Sequence, residues 1–302
     1  MISHHSHSGQ FCKHAQGTLE DVVKEAIQQG FEVFGLTEHV PRYRSQDLYP
    51  EEADLGLDQL LSQFEKYLDE AHRLKALYAD QIKLLVGLET EYISAVDLSG
   101  ADALLQQHTG RIEYLVGSVH HVNEIPIDFD EPTFRKAESS LGSTANFLAA
   151  YFDAQFQLLQ RLHPEVVGHF DLCRLYTPGL RFADYPEAFE LAKRNILYAI
   201  DYGALFEVNA AALRKNWDTP YPGDDILEFI LANNGRVTLS DDSHGPHAVG
   251  LNYARVPPYL VRMGVTELWK LESVGPANAL GRTLRPVRVE EYTFSARTYT
   301  LQ

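Results

Sequence analysis

Cysteine is scarce in this chain: Cys12 and Cys173 are the only two in 302 residues. Two thiols supply no disulfide framework, and free thiols suit a reducing compartment. Basic residues are also few, 26 Lys and Arg against 42 Asp and Glu, for a formal net charge of −16. A field of that sign repels phosphate polymers and anionic bilayers, so neither nucleic acid nor membrane is expected as a partner. It leaves room for a small phosphorylated ligand, because a local group of metal ions or arginines overrides the global field. No apolar run reaches the length of a membrane span, and no secretory signal pattern precedes His4. Linkers, fixed-period repeats and low-complexity tracts are missing too. A soluble, cytoplasmic protein is expected, its residues 1–302 forming one domain: a barrel core to about 255 and an extension from about 256 packed on it. Nothing in the sequence speaks to oligomeric state.

Histidine is what the chain has at its start. The stretch "SHHSHSGQFCKHA" (3–15) holds His4, His5, His7 and His14. Imidazole is costly to bury without a partner, so these rings either idle on a frayed terminus or converge on a cation. The rest of the pattern decides. Apolar runs at 33–39, 83–93, 114–122, 165–173, 205–212 and 236–244 read as strands, and "MISHHSHS" at the front makes seven. Between them, 18–30, 54–80, 143–164, 184–203 and 224–235 follow the helical period. The first of these has Thr18 as N-cap, Asp21 three residues on and Gly30 as a stop. The strand interiors are apolar throughout rather than alternating, as in a parallel sheet covered by helices. The class is α/β, and seven units without a linker favour a (β/α)7 TIM-like barrel over two open sheets. The stretches 40–53 and 123–142 read as excursions over one end, and "RPVRVEEYTF" (285–294) as a terminal strand or hairpin.

Six of the seven strands end in residues able to hold a metal ion. They supply His5 and His7 with His14 beyond, Glu38 and His39, Glu89 and Glu91, His120 and His121, His169 and Asp171, and Asp242 and His244. In a parallel barrel those ends share one face, where active sites are built. An i, i+2 spacing puts His5 with His7 and Asp242 with His244 on one side. Any single element reads more simply as structure; the conjunction does not. His72, His108 and His163 fall on helices as ordinary surface residues, and His4 and His121 point away from their neighbours. Imidazole and carboxylate without a cysteine cluster suit zinc, manganese or iron(II). Cys12, in "FCKH", reads as a small buried hydrophobe. So many donors exceed the needs of one ion; two to three divalent ions sharing a bridging carboxylate are expected. Closely spaced ions of this kind clamp the attacking and leaving oxygens of a displacement at phosphorus.

In order, "HHSHSGQFCKH", "GLTEH", "GLETEY", "GSVHHV", "GHFDLCR" and "SDDSH" resemble the motifs of the polymerase-and-histidinol-phosphatase (PHP) superfamily, from residue 2 to about 250. "GHFDLCR", "EVNAAALRK" and "DLYPEE" are similar to its histidinol-phosphatase branch, fungal members included. The resemblance implies a distorted seven-unit barrel with a trinuclear site. By that likeness His5, His7, Glu89 and Asp242 hold one ion, and Glu89, bridging, with His120 and His169 holds the second. His14, His39 and His244 hold the third, while Glu91 and Asp171 orient histidines. Glu89, Asp242 and His244 become the catalytic residues, and Arg174 and Arg214 the phosphate-binding pair, with Lys215 pointing away. One departure stands in the last motif, where Asp241 and Asp242 occupy the place of a single acid; only Asp242 has the i, i+2 relation to His244.

The activity so implied is hydrolysis of a small phosphate monoester, L-histidinol phosphate, to L-histidinol and phosphate. A phosphoesterase for another small phosphate or a nucleotide keeps the same barrel and metals, so that alternative stays open. A non-catalytic module attached to a polymerase is disfavoured by the acidic charge and the lack of an appended domain. Amidohydrolase-type chemistry is disfavoured because no strand ends in the lysine it uses. The cationic end of histidinol phosphate calls for an acidic or aromatic wall. Glu124, Asp128, Asp130, Tyr43 and Tyr49 in the two excursions are candidates among which spacing does not choose.

Overall fold

A computed structural model describes residues 1–290, apart from Asn216 and Ala279. Seven short strands form one parallel sheet in chain order: β1 (Ile2–Ser3), β2 (Val33–Leu36), β3 (Lys83–Glu89), β4 (Tyr114–Gly117), β5 (Val166–Val167), β6 (Leu205–Asn209) and β7 (Arg236–Ser240). Each pairs in parallel with its neighbour, for instance Ile2 opposite Val33 and Ser240 opposite Asn209. The sheet curls into a nearly closed (β/α)7 barrel. Side chains complete the seam between β1 and β7: Ser3 Oγ donates to Asp241 at 2.7 Å, and His4 Nδ1 meets Thr238 Oγ1 at 2.9 Å. Beyond the seam, the two-residue strands Ser6–His7 and Ser243–His244 pair in parallel. The expected first strand is therefore two pieces with a break at His4 and His5, which carries His5 and His7 past the sheet and over its end.

The helices on the outer face are α1 (Leu19–Gln28), α2 (Leu57–Leu77), α3 (Ala95–Gln107), α4 (Glu131–Ser140), α5 (Thr144–Leu162), α6 (Pro186–Tyr202), α7 (Asp224–Ala232) and α8 (Val256–Arg262). Five lie where the apolar period places them, and Thr18 caps α1 by accepting from Asp21 N. α3 was not anticipated because its inward stripe is thin, with only Asp97, Ala101 and Leu104 buried. α4 lies inside the excursion at 123–142. His108, expected at the surface, is buried at the C-terminus of α3, its ring 3.0 Å from Glu65.

Inside the barrel, Tyr114 fills the space under β1 and donates from its hydroxyl to His4 O at 2.8 Å. That close approach requires glycine on the neighbouring strands. A Cβ on Gly35 would sit 2.0 Å from the Tyr114 hydroxyl, and one on Gly87 2.6 Å from its ring. At the N-terminal end of the strands, β8 (Trp269–Ser273) and β9 (Leu284–Arg288) form an antiparallel hairpin. It docks through Leu271 N, which donates to His4 Nε2 at 3.1 Å. Arg282, beside β9, reaches buried Glu165 at 2.6 Å and the carbonyls of Leu162 and His163. Of the segment 285–294, residues 285–288 are strand, and those from 291 lie outside the described residues.

Candidate active site

Every strand delivers its polar residue to the same end of the barrel, and Glu89 stands at the centre. Its Oε1 lies 3.2 Å from His5 Nε2, 3.1 Å from His120 Nε2 and 3.0 Å from His169 Nε2. Its Oε2 lies 3.0 Å from His39 Nδ1 and 3.4 Å from His7 Nε2. Asp242 joins from the closing strand, 3.7 Å from His5 and 3.6 Å from His7. Among the described residues, four groups have ligand atoms within 4.8 Å of one another: His5, His7 and Glu89; Glu89, His120 and His169; His7, Asp242 and His244; and Cys12, His14, His39 and His244. All nine histidines and carboxylates expected as ligands are thus brought together. The first two groups are buried, whereas His14 and His244 stand at the cavity mouth. Cys12, set aside in the sequence, approaches His14 Nε2 to 3.2 Å through its Sγ.

Whether this set suits a metal ion is decided by the far side of each ring. A carboxylate only accepts, so Glu207, 3.2 Å from His5 Nδ1, fixes the proton there and leaves His5 Nε2 as a bare lone pair. Glu91 does the same for His120, whose Nδ1 lies 3.1 Å away, and the carbonyl of Asp242 for His244 Nδ1 at 3.0 Å. The inward nitrogens of His5 and His7 are then 3.1 Å apart, and those of His120 and His169 are 3.2 Å apart. Lone pairs crowded at that distance around carboxylate oxygens repel unless a cation stands among them. Protons answer the same demand: burial opposes charging His5 and His120, yet Glu89 and its neighbours raise both well above the ordinary histidine range. Burial likewise works to raise the Glu89 carboxyl, and His5 and His120 hold it well below its usual value. The donor set, the fixed tautomers and the spacing fit divalent metal ions with outer carboxylates orienting their ligands.

Glu207 is the residue the sequence reading missed. It sits on β6, the one strand without an expected ligand, and also accepts from His169 N at 2.6 Å and Ser240 Oγ at 2.7 Å. A carboxylate at an inward position of an apolar strand, two residues before Asn209, was the available signal. Glu91 takes the orienting role expected of it, also holding His121 Nδ1 at 3.3 Å and Arg42 at 3.4 Å. Asp171 does not: it pairs with Arg174 and accepts from Gly223 N at 2.9 Å.

Arg174, expected to bind phosphate, is not brought to the cavity. Its guanidinium is buried between Asp171 and Asp225, the latter at 2.9 Å, and lies 4.7 Å from the centre of the Phe182 ring. Arg214 does line the cavity, anchored by a 2.8 Å bond to the carbonyl of Asp242. Lys215, expected to point away, lines it as well. The doubled acid resolves geometrically. Asp242 takes a left-handed backbone conformation (φ 48°), open to Asp at modest strain, and turns inward. Asp241 turns outward to Ser3 and to Gly250 N at 2.6 Å, where burial raises its carboxyl to about 6.

Above the metal-type groups lies a cavity of about 400 Å³, lined among others by His14, His39, Arg42, Tyr49, Asp128, Phe129, Leu172, Arg214, Lys215 and Tyr221. A parallel barrel with a His/carboxylate cluster at its C-terminal mouth is the architecture of a metal-dependent hydrolase, and the chain belongs to the PHP family, whose domain model matches residues 3–211. Among its relatives, the "Probable histidinol-phosphatase" of Schizosaccharomyces pombe is 48% identical, over 96% of this chain and 94% of that protein. The histidinol-phosphatase of Saccharomyces cerevisiae is 34% identical, over 93% and 94%. The fold is also that of the Lactococcus lactis histidinol phosphate phosphatase, solved with zinc, L-histidinol and phosphate. The two superpose with a TM-score of 0.65 at 20% identity, over 89% of this chain and 95% of that one. Among the described residues no helix is long and apolar enough to cross a membrane.

Proposed function

We propose that this chain is a metal-dependent phosphomonoesterase that hydrolyses L-histidinol phosphate to L-histidinol and phosphate, a step of histidine biosynthesis. The reading rests above all on one carboxylate, Glu89, within 3.4 Å of five imidazoles on the floor of a cavity. Near-full-length similarity to proteins named histidinol-phosphatase supports the choice of substrate. Two to three divalent ions (zinc, iron or manganese) are held by His5, His7, Glu89 and Asp242; by Glu89, His120 and His169; and by His14, His39 and His244. Such ions supply Lewis acidity at phosphorus and a nucleophile at neutral pH.

The chain's own residues do the rest. Glu89 is shared by the two buried groups and sets a negative charge between them, which lowers the repulsion between cations held on either side. Glu207, Glu91 and the Asp242 carbonyl keep His5, His120 and His244 in the tautomer that aims a lone pair inward. Arg214, braced on that carbonyl, offers its guanidinium to phosphate oxygens, and its fixed charge stabilises what develops on them during displacement. Lys215 adds a second cation at the rim. The cavity mouth admits the substrate while its buried floor excludes bulk water from the reacting atoms.

Steady-state kinetics on a panel of phosphate monoesters tests the reading. Histidinol phosphate is expected to exceed nucleoside monophosphates and a simple aryl phosphate in kcat/KM. A nucleotide at the head of the panel would overturn the substrate and leave the chemistry.

A further inference from the structure

We propose that Asp128 is the group that recognises the ammonium-bearing end of the substrate; this rests on the histidinol phosphate reading above. Five residues of the two loops over the barrel are candidates for an acidic or aromatic wall, and the structure separates them. Glu124 lies outside the cavity, paired with Arg44 at 3.2 Å. Asp130 caps α4, accepting from Thr133 N at 2.7 Å. The Tyr43 ring packs against Gly100, where a Cβ would meet it at 2.4 Å. Tyr49 and Asp128 face the cavity.

The other acids on that wall are already engaged. Glu51 faces His14 Nδ1 at 3.5 Å, and Glu91 is surrounded by His120, His121 and Arg42. Asp128 makes no hydrogen bond or ion pair among the described residues, and its Oδ1 is buried without a partner. It also belongs to none of the four metal-type groups. A buried carboxylate oxygen left bare at a cavity wall is costly unless something bound there satisfies it.

The surroundings define that something as a cation with an adjoining flat apolar part. Ile127 N donates to His120 O at 2.8 Å, pinning the Asp128 loop beside the metal-type floor. Phe129 stacks on Tyr49 across the gap between the two loops, with centroids 6.0 Å apart and planes 20° apart. Phosphate held at Arg214 and the floor therefore leaves the rest of the ester between an aromatic lip and a carboxylate oxygen without a hydrogen-bond partner, whose charge is felt by Arg42, itself held by Glu91. An amino alcohol with an ammonium and an imidazole matches that wall; a nucleotide, with no cation there, does not.

The test compares Asp128→Asn with the parent protein on histidinol phosphate and on an aryl phosphate, and measures inhibition of aryl phosphate hydrolysis by L-histidinol alone. A charged hydrogen bond lost only to the amino alcohol lowers the ratio of the two kcat/KM values roughly 10- to 150-fold. It weakens L-histidinol inhibition by a similar factor. Asp128→Glu, which keeps the charge, retains most of the ratio, and Glu124→Gln keeps all of it. If the parent protein prefers histidinol phosphate and Asp128→Asn changes neither the ratio nor the inhibition, the assignment of Asp128 is wrong while the activity stands. If the parent protein shows no preference for histidinol phosphate, the substrate reading falls and the assignment with it.

Discussion

The two ends of the barrel both bury charge, and they do it in opposite ways. At the N-terminal end, Glu165 and Arg282 are closed on themselves: Glu165 accepts from Arg282 Nε at 2.6 Å and from Leu115 N at 3.1 Å, while Arg282 takes two backbone carbonyls. The charged atoms of this pair are matched within the chain. At the C-terminal end, satisfaction stops halfway. The outer nitrogens of His5, His120 and His244 are tied down, while the inner ones face one another and Glu89. A fold that spends buried carboxylates on aiming lone pairs at each other is built around something it must take from outside. Burial and charge alone do not distinguish a clasp from a site. The distinction is whether the polar atoms are all answered within the chain.

The sharpest way to break the comparison is to remove the shared carboxylate. Glu89→Gln loses one member from each buried metal-type group, and kcat is expected to fall by on the order of 10³-fold or more. At the other end the outcome reverses. Arg282→Met leaves Glu165 buried and unpaired, which costs about 3–5 kcal/mol of stability and leaves kcat of the folded protein unchanged. Burial already raises the Glu165 carboxyl, against the pull of Arg282, and losing the arginine raises it further. A carboxyl held above its ordinary 4.5 stabilises the fold below that pH and loses the contribution as pH rises. The Arg282→Met penalty is therefore largest near neutrality and shrinks toward pH 4.5, as melting temperature against pH would record. Glu165→Gln combined with Arg282→Met recovers most of the loss. A smaller effect is expected from the orienting residues: Glu207→Gln and Glu91→Gln each lower activity or metal affinity by ~10–100-fold, measured by metal titration. A loss from Glu91→Gln exceeding that from Glu89→Gln would reverse the roles given to bridge and helper.

The two ends also differ in how far the sequence reveals them. The mouth is legible because its chemistry is local: an i, i+2 histidine pair or a Glu-His at the end of an apolar run announces both a strand end and a ligand. Residues that act through long-range partners are not legible in that way. Glu207 looks like a charge interrupting a strand until the barrel closes and brings His5 beside it, 202 positions away in sequence. Arg174 follows a motif histidine by five residues, and only the fold shows Asp171 and Asp225 enclosing it. The clasp at Arg282 joins residues 117 positions apart, with no pattern around either. Helix α3 escaped for a different reason, because a helix that buries so few residues has almost no period to read. The seven-strand order followed from chain order alone, since parallel strands joined by helices leave few other arrangements.

That metal completes the open half of the site is the central claim. Its most direct test is elemental analysis of the purified protein alongside activity, before and after a strong chelator. Two to three divalent ions per chain are expected, with loss of activity on their removal, recovery when they are restored, and a circular dichroism spectrum unchanged throughout. Full activity in protein carrying less than one ion per chain would contradict it.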